Sequence, residues 1–219
     1  SFTFLRFLIP SHFKSKDLIL IIDPDIFAIK DPSDLIKEFK QKNHIHCTFL
    51  NEKPRTELML VDPNNIDWNF DEIINKIFNF KLDYNDLFSL NFNSKNKIEK
   101  IDNKFNELDK IKDSSVILHT TQRITQPWKL GLKVDFQKNY SIKILLKNYL
   151  KKFLFMNHNE KVTSNKYIKH ENEDVLNFVN SIFLEAYEKK IINLDEIKDS
   201  INQKYINKNF FEDFTKKIL

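Results

Sequence analysis

The 219 residues are 41% hydrophobic and 13% aromatic, with 21 Phe, which supplies a core for one globular domain with a helical appendage. A charged fraction of 30% and a net charge of +4 exclude a disordered chain and do not require a nucleic-acid partner. The single cysteine excludes an internal disulfide and fits a reducing, cytoplasmic compartment, and no uninterrupted apolar run reaches the ~20 residues of a membrane span.

In chain order, residues 2–13 read as a short helix leading into a turn. Residues 18–22 (LILII) form a continuous apolar run, which predicts a strand buried on both faces in a parallel or mixed sheet. The run stops at Asp23-Pro24-Asp25, because a proline cannot donate to a sheet ladder. Residues 26–29 resume the apolar pattern, and Asp31-Pro32-Ser33 opens a helix over 34–40. Residues 45–50 and 56–61 read as strands, with His44 and His46 as exposed strand residues. Helices are expected over 71–79 and 84–90, a loop over 105–108 and a short buried strand over 115–118. From residue 140 the chain reads helical, over 140–155, 172–189 and 194–207, with a polar linker over 157–170. Lys143, Lys147, Lys151 and Lys152 beside Ile144, Leu145, Leu150 and Phe153 predict a helix that packs on the core or lies on an anionic membrane surface.

Two acids one residue apart at the end of an apolar strand are a sensible platform for a divalent cation, because both carboxylates reach off the strand end where α/β sheets place ligands. The same triplet is also ordinary turn chemistry. His119, at the end of a second short strand, offers a neutral imidazole as a third ligand to a borderline metal, or serves as a structural histidine. Arg123 and Lys129 downstream could meet phosphate charge, and Trp128 reads as core packing or the wall of a lid.

Four blocks in order carry a family resemblance. FLRFLIP over 4–10 followed by LILIIDPDIFAIKD over 18–31 resembles the R-x-x-[IV]-P … YLDxDxxxxxD stretch of the family 8 glycosyltransferases. ELMLVD over 57–62 sits where that family has S-x-M-L-x-D, while FNELD over 105–109 and VILHTTQRITQPW over 116–128 resemble its WNxLD … hxHyT … QPW ending. The resemblance implies an α/β, GT-A-like (Rossmann-like) mixed-sheet core over residues 1–135 and a helical C-terminal region over 136–219. It implies Mn²⁺ or Mg²⁺ held by Asp23, Asp25 and His119, and a nucleotide-sugar donor, usually UDP-linked. It further implies transfer with retention of configuration to a glycan, lipid-linked or protein acceptor by a hexosyltransferase-type enzyme, cytoplasmic or peripheral to the membrane. Substrate contacts would come from Arg6, Arg123, Gln126, Trp128 and Lys129.

The chain departs from the family pattern in three places. The opening βαβ nucleotide-binding unit has no counterpart, so a fragment or a remnant is expected. Gln122 stands where better-known members have glycine in H-x-x-G-x-x-K-P-W. The acceptor-side D-Q-D block falls at Tyr84-Asn85-Asp86, which leaves Asn85 and Asp86 as the catalytic candidates. A catalytically incomplete GT-A-like binding or partner module is therefore the alternative expectation.

Overall fold

The structure, a computed structural model, describes residues 2–13, 17–39, 44–135 and 165–215. It divides into two compact units, Ser1–Thr121 and Gln122–Leu219. The helix expected over 140–155, its membrane-facing reading and most of the linker lie outside the described residues.

The first unit holds two mixed sheets. The larger is ordered β1-β4-β3-β5, with β1 at Ile19–Ile22, β3 at His44–Leu50, β4 at Lys53–Val61 and β5 at Lys97–Lys100. β4 runs antiparallel to both β1 and β3, and β5 adds parallel to β3. The smaller is ordered β2-β7-β6, from Ile26–Ala28, Ile117–His119 and Glu107–Leu108, with β2 antiparallel and β6 parallel to β7. This is the mixed α/β architecture expected from the sequence.

The strand buried on both faces is β4, not β1. Met59 and Val61 face one apolar cluster with Phe7, Ile45, Cys47 and Trp68, while Leu58 and Leu60 face a second with Ile26, Leu35, Phe105 and Ile117. β1 lies at a sheet edge among the described residues, with Leu20 38% and Ile22 48% exposed. A continuous apolar run cannot by itself separate a central strand from an edge one.

His44 and His46 correct the sequence expectation in the opposite direction, since both are buried. His44 pairs with Glu99 of β5 at 3.1 Å, and the His46 ring lies 4.6 Å from Phe39. They alternate with Ile45 and Cys47, so they occupy the face of β3 opposite those residues. β5 and β6 were not anticipated. KIEK carries too little apolar character to announce a strand, and the two residues of β6 are ordered by pairing with β7.

Among the described residues of the first unit, short helices precede and connect the strands. Phe2–Leu5 (α1) and Ile9–His12 (α2) replace the single expected helix, and between them Phe7 is fully buried edge-on to Trp68 and Phe92 at 5.3 and 5.1 Å. Residues Pro32–Glu38 form a 3-10 helix under an Asp31 cap. Phe70–Phe78 (α3) starts at an Asn69 cap, and Tyr84–Phe88 (α4) starts at a capping box formed by Asp83 and Asp86.

In the second unit, the described residues hold Glu173–Glu188 (α5), Leu194–Asn202 (α6) and Lys208–Thr215 (α7). α6 is shorter than the expected 194–207, because the chain turns left-handed at Lys204. No helix among the described residues is long and apolar enough to cross a membrane.

Candidate metal centre

Strand pairing brings the two sequence-distant halves of the centre together. Ile26 of β2 lies directly opposite His119 of β7, and the Asp25 carbonyl accepts from the backbone N–H and the hydroxyl of Thr120, both at 3.1 Å. Asp23 leaves the end of β1 with its N–H donated to the Glu57 carbonyl of β4 at 2.9 Å. Pro24 thus lies between two anchored residues, one tied to each sheet. The register between β3 and β4 slips between Cys47 and Thr48, opposite residues 56–58 of β4. Such irregularities re-aim side chains beside functional sites.

Asp23, Asp25 and His119 each present one ligand atom, and the three atoms lie within 4.8 Å of one another. His119 Nε2 is 3.5 Å from Asp25 Oδ1. An octahedral cation with bonds of about 2.1 Å would separate neighbouring ligands by about 3 Å and opposite ones by about 4 Å; the His119–Asp25 pair falls in this range, and small side-chain shifts would bring all three atoms onto one ion. The donor set also suits one: two hard carboxylates and an imidazole match Mn²⁺ or Mg²⁺ chemistry.

The surroundings favour a cation at this position. His119 is buried, and each Asp side chain is three-quarters buried. Burial raises the Asp23 carboxyl above its ordinary range, Arg6 opposes this, and the neighbouring Asp25 raises it further. Arg6, itself buried in the turn after α1, donates to Thr56 Oγ1 at 2.7 Å and to Asp23 Oδ1, so among the described residues one Asp23 oxygen is left without a hydrogen-bond donor. Behind His119, the Asn106 carboxamide spans from the ring Nδ1 to Thr48 Oγ1, 3.0 Å on each side.

The other residues singled out from the sequence are placed as follows. Asp86 uses both carboxylate oxygens locally, accepting from the Asp83 N–H at the start of α4 at 2.9 Å and from the Asn91 amide beyond its end at 3.1 Å. The first of these hydrogen bonds, then the second, holds its carboxyl below the ordinary range. Asn85 is exposed on the same turn. Arg123, Gln126, Trp128 and Lys129 belong to the second unit. There Lys129 bonds Asp135 at 2.5 Å and lies 5.3 Å over the Tyr167 ring, while Tyr167 donates its hydroxyl to Asp135 at 2.8 Å. Burial opposes it, yet these two hydrogen bonds keep the Asp135 carboxyl below its usual range. Gly131, the only glycine, takes φ +83° and donates to the Tyr167 carbonyl, fixing the bend after Trp128. Asn106 was missed as a site residue, although it lies in the FNELD block, because nothing in its spacing says what its amide faces.

No protein-family model and no curated protein matches the chain. Among solved structures it resembles the glycosyltransferase GlyE of Streptococcus pneumoniae TIGR4, with 16% identity over 72% of this chain and a TM-score of 0.42. It also resembles the galactosyltransferase LgtC in complex with donor and acceptor sugar analogs, with 11% identity over 73% of this chain and a TM-score of 0.47. An active-site mutant of LgtC gives 12% identity and a TM-score of 0.44. The chain spans about half of GlyE, 48% of its length, and 69% of LgtC.

Proposed function

We propose that the chain is the core of a divalent-metal-dependent, family-8-like glycosyltransferase of the GT-A type. It would move a sugar from a nucleotide donor, UDP-linked in the simplest reading, to a glycan, lipid-linked or protein acceptor with retention of configuration. The observation that carries the proposal is the convergence of Asp23 and Asp25 with His119, distant in sequence and brought together by the pairing of β2 with β7. In the sequence these residues stand at the matching positions of a four-block pattern, and in the fold they meet.

When bound, the ion would supply Lewis-acid neutralisation of the diphosphate leaving group. The chain's own residues do the rest. Asp23 and Asp25 place two negative charges where a diphosphate-bearing cation docks, and Arg6 holds Asp23 in place from below. His119 presents a ring nitrogen toward the same point. Arg123, Gln126, Trp128 and Lys129 enter as donor contacts from the sequence pattern alone.

One observation favours a second reading, a module that binds donor without turning it over. Asp86 has both carboxylate oxygens hydrogen-bonded, to the Asp83 N–H in the capping box of α4 and to the Asn91 amide, so acceptor chemistry would compete with these bonds. Hydrolysis of a panel of UDP- and GDP-sugars with Mn²⁺ tests both readings, alongside calorimetric titration of Mn²⁺. Turnover abolished by EDTA and reduced ~100-fold or more in Asp25→Ala supports the enzyme. Equal Mn²⁺ affinity in wild type and Asp25→Ala would falsify the metal site. Donor bound without turnover by the wild type establishes the module.

A further inference from the structure

We infer that Asn106 is the positioning residue of the metal centre: it locks His119 in the tautomer whose bare Nε2 faces Asp25. The inference rests on the metal-site reading above and adds to it a residue that is itself no ligand.

Asn106 Oδ1 lies 3.0 Å from His119 Nδ1, and its Nδ2 donates to Thr48 Oγ1 at 3.0 Å. All three residues are more than nine-tenths buried, Asn106 at 5%, His119 at 4% and Thr48 at 2% exposure. Two hydrogen-bond assignments are open to such a chain. In one, the amide oxygen accepts from Nδ1–H, and Nε2 carries a lone pair. In the other, the amide is turned over and Nε2–H must find its acceptor in Asp25 Oδ1. That separation is 3.5 Å, beyond the 2.7–3.2 Å that N–H···O bonds occupy. The amide is satisfied on both sides in either case, because the Thr48 hydroxyl donates or accepts; only the first assignment leaves no ring N–H short of an acceptor, and it sets two electron-rich atoms, Nε2 and a carboxylate oxygen, facing each other. A cation between them completes the arrangement. Metal-ligating histidines ordinarily donate their second nitrogen to an acceptor, which fixes the tautomer and strengthens the ligand.

The backbone holds Asn106 to this task. Its N–H closes a 3-10 turn on the Asn103 carbonyl at 2.9 Å, behind the fully buried Phe105 ring. The next residues, Glu107 and Leu108, pair in parallel with Leu118 and His119, and Asp109 donates its N–H to the His119 carbonyl. Asn106 therefore moves with the strand that carries His119, while Thr48 ties its amide to the larger sheet.

The test uses Asn106→Leu, which removes the acceptor, and Asn106→Asp, which keeps it. Long-range ¹H–¹⁵N NMR of the metal-free protein above pH 8 reads the His119 tautomer directly. The wild type and Asn106→Asp should show protonated Nδ1, and Asn106→Leu should show mixed or Nε2-protonated signals. Mn²⁺ titration should then give a dissociation constant about 10–100-fold weaker for Asn106→Leu and near wild type for Asn106→Asp. If Asn106→Leu does not fold, Thr48→Val, which frees the amide to turn, should produce the same tautomer mixing with a smaller loss of affinity. An unchanged tautomer and an unchanged Mn²⁺ affinity in Asn106→Leu overturn the inference and leave the metal site standing. A wild type that binds Mn²⁺ no better than Asp25→Ala sinks the metal site, and with it the role of Asn106 there. The metal-free tautomer still reports in that case whether Asn106 clamps the ring.

Discussion

Arg6 shows how one residue can be structural and functional at once. Its guanidinium joins Thr56 and Asp23, and its side chain is 6% exposed while that of Asp23 is 25%. Removing one member of a largely buried pair leaves the other charge uncompensated, whereas removing both is far milder. Arg6→Met should therefore cost about 3 kcal/mol in urea unfolding. Arg6→Met with Asp23→Asn should cost less than the sum of the single changes by roughly 1 kcal/mol or more. Additivity would mean that the pair contributes nothing as a pair. Cys47 offers a second residue-scale prediction. Burial pushes its thiol up to about 12. An unfolded thiol titrates at about 8.5, so the stability it contributes is full below that value and is lost as pH rises toward the folded one. Urea midpoints at pH 8 and pH 10.5 should show this alkaline loss in the wild type and a flatter curve in Cys47→Val.

At the scale of elements, a chain with one glycine has had to end its helices without it. Phe80, Leu90, Lys190 and Lys204 each sit one residue beyond a helix cap with φ between +55° and +61°. The residue after each donates back five positions, as in Lys81 to Lys76 and Tyr205 to Ser200, both at 2.8 Å. This is the left-handed C-terminal motif in which glycine avoids about 1 kcal/mol of strain. Lys190→Gly and Lys204→Gly should each raise the melting temperature of the whole chain by roughly 2–4 °C. Leu90→Gly should lower it, because Leu90 is 1% exposed and packs in the core. The hairpin between β3 and β4 tells the same story. Its two loop residues, Asn51 and Glu52, have φ +48° and +60°, the mirror-image turn that prefers Asn-Gly. Glu52→Gly should stabilise by about 1 kcal/mol in the same assay.

For the whole molecule, the first unit ties its stability to the proposed ligand. Asp23, Asp25, His119, Asn106, Thr48 and the probe Cys47 all fall within Ser1–Thr121. Anything that binds the folded state alone stabilises it by mass action, about 2.7 kcal/mol at a ligand concentration 100 times the dissociation constant. Mn²⁺ should therefore slow thiol labelling of Cys47 at a fixed moderate urea concentration about 100-fold at that saturation. Asp25→Ala should show no such protection. Equal slowing in both proteins would mean that the ion acts elsewhere on the chain.

The sequence by itself determined most elements and singled out the three residues that converge. Apolar runs mark strands and Asp and Asn mark caps, while Asp23, Asp25 and His119 stand out through their order within a four-block resemblance. Tertiary structure decided what depends on neighbours. LILII reads as doubly buried, yet only pairing order makes β1 an edge and β4 the central strand. His44 and His46 read as exposed because polarity suggests it, and Phe39 and Glu99 cover them only once the chain folds. Asn106 is an unremarkable amide in sequence. Its meaning arises when β6 and β7 align and Thr48 of β3 comes within hydrogen-bonding reach of it. Periodicity and capping act within a few residues, while burial, hydrogen-bond partners and ligand geometry are set by contacts made across the chain.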